Sequence, residues 1–220
     1  MVPENAWRAL AEQGRRIVHR RGSFIYRQGE LSSSVFLLED GTVKVLQVAE
    51  RGAALTLTLR GPGEMLGEMG VILDRPRSAT LQAVDHCTGH VLSAGVFLAG
   101  LDRLGLVTTV YRLAVDRMRH VEQRRMELVS LPPAARVARV ILHLAAEVGR
   151  PGEGGTLVEL GMPREELAAM AAVGRSTAVP ALRRLQVQGV LDLARTRLVV
   201  KDVEALAAAA LAGEADVKGM

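Results

Sequence analysis

Cys87 is the single cysteine in 220 residues. Its solitude excludes an internal disulfide and a four-cysteine metal or iron–sulfur site within one chain. Aromatic residues make up 3%, so a core must be built from Leu, Val, Ala and Met. Lysine is nearly absent: of 28 basic residues, all but Lys44, Lys201 and Lys218 are arginine. No apolar run reaches the roughly 18 residues of a membrane span, and no basic–apolar–small signal opens the chain. The expectation is a reducing cytoplasm and no membrane partner. His19, His86, His90, His120 and His143 are scattered along the chain. His86 beside Cys87 makes a poor metal or haem site, because two neighbours on one turn cannot surround an ion. No residue set pairs a nucleophile with a base, two catalytic acids, or ligands at metal spacing, so no enzyme and no metal are expected.

What the chain does hold is a 49% hydrophobic content and a net charge of +4. That is enough apolar surface for one large domain or two modest ones. Pro3, Trp7, Leu10 and Ala11 suit a short amphipathic N-terminal helix. From Ile17 short β-type runs alternate with Gly-centred turns at Arg21-Gly22, Gln28-Gly29-Glu30, Glu39-Asp40-Gly41, Glu50-Arg51-Gly52 and Gly61-Pro62-Gly63. Asp40-Gly41 between Val35–Leu38 and Val43–Leu46 is a strong hairpin signal. Regular turn spacing predicts an all-β barrel or sandwich, closed by the runs Ala79–Val84 and Gly89–Ser93.

Inside this region stands Gly67-Glu68-Met69-Gly70, followed by Pro76-Arg77-Ser78-Ala79-Thr80. A glycine before the acid permits close approach of a ligand to the backbone. A short helix starting there would aim free N–H groups at an anion. Arg77 can grip a phosphate with a rigid two-donor fork, and Ser78 adds a hydroxyl. Glu68 is then available to accept from a sugar hydroxyl. The set reads as a phosphate-and-ribose pocket.

From Gly105 to Val129 the turn residues vanish. Tyr111, Ala114, Met118, Val121, Arg125 and Leu128 step by three and four, continued backwards by Val107. That is a heptad seam flanked by charges, and it predicts a helix that pairs with a copy of itself. Ser130-Leu131-Pro132-Pro133 ends it, with Ser130 expected to cap a new helix from Ala134 to Val148. The glycine-rich segment 149–155 reads as a flexible loop and Leu157–Leu160 as a short strand. Pro163 to Ala171 and Arg175 to Gln188 form a helix pair at helix-turn-helix spacing around Ala172-Val173-Gly174. Its expected core is Leu167, Met170, Val173, Val179, Leu182 and Leu185. Between Arg175 and Lys201, six basic residues face one acid, Asp192, a local +5 against +4 for the whole chain. Two short strands around Arg195-Thr196 read as a wing, Asp202 as the cap of a last helix, and the end as a polar tail.

The Gly67–Gly70 and Pro76–Thr80 motifs resemble the phosphate-binding cassette of cyclic-nucleotide-binding domains. With their flanks, from about Ile17 to Ala210, they resemble the bacterial cyclic-AMP receptor protein and fumarate-nitrate regulator family of transcription regulators. The resemblance implies an α+β chain: a cyclic-nucleotide-binding β jelly roll in 1–104, a long dimerisation helix in 105–130, and a winged helix-turn-helix in 131–220. It implies that Glu68 binds the ribose, Arg77 and Ser78 the cyclic phosphate, with Gly67 and Met69 beside them. The adenine-holding positions fall at Val121 and Glu122. Val121 has no hydrogen-bonding group, so the base contact is lost or passes to the Glu122 carboxylate. The missing cysteines separate this chain from the oxygen-sensing branch.

In the second helix Arg175 matches the arginine that reads guanine, for which a guanidinium is suited. Ser176 stands where the family commonly has a glutamate, and Pro180 where its founding member has a second arginine. Pro180 is expected to kink the helix. DNA contacts are expected from Arg164, Arg175, Ser176, Thr177, Arg183, Arg184, Arg195 and Arg197. The expected partners are double-stranded DNA, a second copy of the chain and RNA polymerase, with cyclic AMP or cyclic GMP as effector. Two alternatives are a regulator with another effector or none, and a nucleotide-binding signalling module whose helix-turn-helix has decayed.

Overall fold

A computed structural model describes residues 2–49 and 52–212. It opens with helix α1 (Glu4–Ala11) and strands β1 (Arg15–His19), β2 (Phe24–Tyr26), β3 (Ser34–Asp40), β4 (Val43–Val48), β5 (Ala54–Arg60) and β6 (Met65–Leu66). A five-residue helix α2 (Glu68–Ile72) precedes β7 (Thr80–Ala83), β8 (Cys87–Ser93) and helix α3 (Ala94–Arg103). Two antiparallel sheets result, in the orders β1-β8-β3-β6 and β2-β7-β4-β5. This is the expected jelly roll. The turn expected at Glu50-Arg51-Gly52 lies partly outside the described residues, as does the polar tail.

Val35–Leu38 is buried throughout, because β3 is covered on both faces. Val35 and Leu37 meet Leu10, Phe97 and Leu101, where α1 and α3 pack outside the sheet. Phe36 and Leu38 meet Val43, Leu66, Leu81 and Cys87 between the sheets. An unbroken apolar run is what two covered faces require. The Asp40-Gly41 hairpin forms as expected. Gly41 has φ +96°, and a Cβ there would lie 2.8 Å from the Cys87 backbone, so both conformation and space demand glycine. Helix α3 had no strong sequence signal; its N-cap is Ser93, whose hydroxyl accepts from Val96 N–H at 3.4 Å.

Helix α4 (Val107–Ser130) follows, then α5 (Pro133–Val148), strands β9 (Arg150–Gly152) and β10 (Gly155–Glu159), and helices α6 (Arg164–Met170) and α7 (Arg175–Val187). Strands β11 (Leu191–Leu193) and β12 (Arg197–Val200) and helix α8 (Val203–Leu211) complete the chain. The chain divides into two compact units, Met1–Ala54 with Arg60–Val121, and Leu55–Leu59 with Glu122–Met220. The division falls inside α4, between Val121 and Glu122.

Three local expectations change. Ser130 does not cap α5: it ends α4 and donates its hydroxyl to the Met126 carbonyl at 2.9 Å. The N-cap is Pro132, with Pro133 as the first helical residue, where a missing N–H loses nothing. The glycine-rich segment is ordered as a hairpin, β9 pairing with β10. In the second unit Ala178 rather than Val179 joins Leu182 and Leu185 in the core, with Val179 43% exposed. Ala178, Leu182 and Leu185 lie on one face at four-three spacing, whereas Val179, Leu182 and Leu185 step by three and drift off it. Helix α8 is capped as expected, Asp202 accepting from Ala205 N–H at 2.8 Å.

Candidate ligand pocket and nucleic-acid interface

Five predicted ligand residues converge. Gly67, Glu68, Met69, Arg77 and Ser78 line one cavity of about 190 Å³ in the first unit. Gly67 is the hinge of the site. Its φ of +82° admits the turn from β6 into α2, and its carbonyl accepts from Arg77 Nη1 at 2.7 Å. Arg77 Nη2 donates to the Ser34 carbonyl at 2.6 Å. The guanidinium lies 3.7 Å above the Tyr26 ring, a cation–π contact worth about 2 kcal/mol or more when desolvated.

These named partners of Arg77 are all neutral, yet the residue is only 5% exposed. Its Nε is buried without a partner among the described residues. Burial holds its pKa below the ordinary arginine value. Glu30 and Glu68 also act on it through their charge, but the groups that hydrogen-bond the guanidinium are neutral, an arrangement suited to an anion.

Glu68 is also 5% exposed, and burial pushes its carboxyl above the usual carboxylate range. The opposing influence is Arg117 of α4, which ion-pairs with it. The other Nη of Arg117 donates to Glu64 at 2.5 Å, and Glu64 in turn holds Arg60 Nη1 at 3.4 Å. Arg60, Glu64, Arg117 and Glu68 thus form one charged chain, and both arginines line the cavity.

Sequence reasoning missed Tyr26, Arg60 and Arg117. Arg117 had a readable signal. Leu106, Val110 and Leu113 face the core at four-three spacing, and the next step on that stripe is Arg117. It was read instead as a charge flanking the seam. Val121 and Glu122 are both exposed, and the lining of this cavity includes neither.

The second unit carries the basic surface. Arg164, Arg175, Ser176, Arg183, Arg184, Arg195 and Arg197 are exposed, and Thr177 is half-buried. Arg164 reaches from α6 toward the wing, donating to the Leu193 carbonyl at 3.5 Å. Arg175 starts α7 and lies 3.7 Å from Glu165, both ends well exposed. The acid of the basic stretch, Asp192, is held by Lys201 at 2.6 Å, which leaves the arginines to set the local field. The wing turn is tight: Ala194 N–H donates to the Arg197 carbonyl at 2.9 Å, and the Thr196 carbonyl accepts from Leu160 and Gly161. Helix α7 continues through Pro180, which is exposed and lacks the N–H that would bond Ser176.

Residues 16–103 match the family model of the cyclic nucleotide-binding domain, and residues 135–209 that of the Crp-like helix-turn-helix domain. The cyclic AMP receptor protein of Thermus thermophilus is 32% identical over 208 residues, covering 94% of this chain and 92% of that protein. The chain belongs to the cyclic-AMP receptor protein and fumarate-nitrate regulator family. A CRP-like cAMP-activated global transcriptional regulator of Mycobacterium tuberculosis is 25% identical over 207 residues, with the same two coverages. A crystal structure of a CRP-family transcriptional regulator from Thermus thermophilus superposes with a TM-score of 0.69 at 26% identity, covering 88% of this chain and 96% of that one. This family member is therefore a CRP-like transcription regulator with a cyclic-nucleotide-binding domain and a DNA-binding helix-turn-helix, and not an enzyme. Among the described residues no single helix is long and apolar enough to cross a membrane.

Proposed function

We propose that this regulator is a cytoplasmic homodimer whose DNA binding is controlled by a cyclic nucleotide. The observation that carries the reading is the buried Arg77, held by neutral groups in one cavity with Glu68. Arg77 and Ser78 take the cyclic phosphate, Glu68 a ribose hydroxyl, and Gly67 and Met69 pack beside them. The effector domain is residues 1–104, the dimer helix 105–130 and the DNA-binding domain 131–220. The names of the cyclic AMP receptor protein and the cAMP-activated regulator among the relatives support a cyclic nucleotide.

Dimerisation is supported by α4, where Tyr111, Met118 and Val121 are 56%, 58% and 59% exposed. Exposed apolar residues along one stripe fit a second helix. In the dimer, Val121 and Glu122 stand on that stripe and at its flank, where a partner brings a second copy of each to the ligand's base. RNA polymerase is the further partner in this reading.

A second reading drops the effector. Arg117 already occupies the acid meant for the ribose, so the pocket has an internal cation where the ligand's sugar would bind. Calorimetric titration with cyclic AMP and cyclic GMP, with DNA binding followed with and without each, decides. Binding of one of them, abolished in Arg77→Leu by the loss of about 2–5 kcal/mol of charge-assisted pairing, supports the first reading. DNA binding unaffected by millimolar nucleotide supports the second.

A further inference from the structure

We propose that Val179 and Pro180 make helix α7 a reader of thymine methyl groups, so that each DNA half-site carries A·T pairs beside the position taken by Arg175. The inference rests on the DNA-binding reading above and adds the kind of base pair selected.

The second helix of a helix-turn-helix lies in the major groove and offers its N-terminal residues to base edges. Here that helix is α7, Arg175–Val187. Its inward stripe is Ala178, Leu182 and Leu185, all buried. The residues four after Arg175 and Ser176 stand one turn further along the same outward rows. They are Val179 and Pro180. Val179 is 43% exposed, and Arg175, Ser176 and Pro180 are exposed with it. Arg183 comes next, four residues after Val179, and is exposed as well. The outward strip therefore runs from one cation to another across an apolar middle. Cations at its ends suit a helix laid between two phosphate backbones. The Val179 and Pro180 side chains between them carry neither donor nor acceptor. Pro180 also weakens the helix that bears it, and its exposed ring lies outside the core.

Among the groups that base pairs show in the major groove, the C5-methyl of thymine is the apolar one. At an A·T pair that methyl gives Val179 and Pro180 an apolar surface to cover, and both sides leave water. At a G·C pair the groove shows guanine O6 and N7 and the cytosine N4 amine. Covering those with two apolar side chains leaves donors and acceptors desolvated and unmatched. The strip thus selects A·T pairs by contact and rejects G·C pairs by the hydrogen bonds it cannot make.

Site selection from random duplexes by the full chain, with cyclic AMP, cyclic GMP or neither present, gives the half-site. Affinity is then measured on that duplex and on one whose half-site thymines are replaced by deoxyuridine, which removes the methyl and keeps the pairing. Wild type is expected to lose about fourfold for each contacted methyl, the worth of one buried carbon group. The dependence on salt should not change, because no phosphate contact is touched. The double variant Val179→Ser/Pro180→Ser should bind the two duplexes alike. Serine suits a helix as well as valine and far better than proline, so α7 is expected to form in it. Equal wild-type affinity for the two duplexes overturns the methyl reading and leaves DNA binding standing. So does a selected half-site without thymine. So does a deoxyuridine loss as large in the double variant as in wild type, which would place the effect in duplex shape. If the double variant does not fold, Val179→Ser decides in its place. A wild type that binds no duplex under any of the three conditions overturns both readings.

Discussion

Arg117 and Glu68 form an ion pair between helix α4 and the first residue of α2. Glu68 is nearly sealed from solvent, and burial outweighs the pairing, so its folded pKa lies above the ordinary 4.5. The native state then holds a proton that the unfolded chain has released over the interval between those two values. Stability therefore falls as pH rises through that interval. Urea unfolding of the unliganded protein at stepped pH should show this loss above about pH 4.5. Glu68→Gln should remove that part of the slope. A slope unchanged in Glu68→Gln would mean that Glu68 titrates as in the unfolded chain.

Removing the cation tests the same pair from the other side. Arg117→Leu removes the cation that ion-pairs with the buried Glu68. It should destabilise the protein by about 1–3 kcal/mol near neutral pH, the penalty for a buried polar group losing its partner. The loss should shrink at acid pH, where Glu68 is protonated. The double variant Arg117→Leu/Glu68→Gln should recover part of the stability, as a coupled pair does in a double-mutant cycle.

Gly67 and Gly63 separate backbone strain from loss of the site. Both have positive φ, +82° and +87°. A Cβ on Gly63 meets nothing within 4 Å, whereas one on Gly67 meets the Arg77 guanidinium and, at 2.9 Å, the Tyr26 ring. Gly63→Ala should cost about 1–2 kcal/mol of stability through its backbone alone. Gly67→Ala should cost more and displace Arg77, lowering nucleotide affinity at least tenfold. Equal nucleotide affinity in the two variants would show that Arg77 is not held through Gly67.

The cassette was legible because its residues are local: one glycine-led turn carries Gly67, Glu68 and Met69, and Arg77 and Ser78 follow closely. Arg117 was not, because its role depends on which face of α4 turns inward, and an arginine on an apolar stripe reads as solvent-facing. The stripe Leu106, Val110, Leu113 was there to be counted. Arg60 was harder: nothing in Leu59-Arg60-Gly61 distinguishes a pocket arginine from one at an exposed strand end. Val179 was misplaced because the expected core stepped by three from Val179 to Leu182 to Leu185, which drifts off one helix face, whereas Ala178, Leu182 and Leu185 step by four and three and stay on it. The β9–β10 hairpin hid in a glycine-rich segment. There Gly155, at φ +145°, lets the Val200 carbonyl come closer than any Cβ would allow, a tertiary demand with no local signal.

The exposed stripe of α4 predicts the assembly. Val121 is 59% exposed and central to the Tyr111–Leu128 spacing. Val121→Asp should leave the fold of each chain intact, since the residue touches little of its own chain. It should dissociate the dimer at micromolar concentration by setting like charges across the seam. Sedimentation as an unaltered dimer would mean that the chains associate elsewhere.

The arginines of the second unit are expected to take different roles on DNA. Arg184, Arg195, Arg197 and Arg164 are exposed on α7, the wing and α6, where they suit phosphate contacts. Arg175, at the first position of α7, is the expected base reader, with Arg183 second. Its 3.7 Å approach to Glu165 is between well-exposed groups, so that pair contributes little and yields readily to DNA. Substituting Arg184 or Arg195 by alanine should weaken binding to all duplexes alike and reduce the salt slope by roughly one. Arg175→Ala should instead erode discrimination at one base pair per half-site by about 1–3 kcal/mol. A two-fold dimer should select half-sites about one helical turn apart. Site selection from random duplexes, run on wild type and Arg175→Ala, measures both effects. A wild type that selects no motif would favour a module whose helix-turn-helix no longer reads DNA. Identical motifs from the two proteins would show that the base contact lies elsewhere on α7.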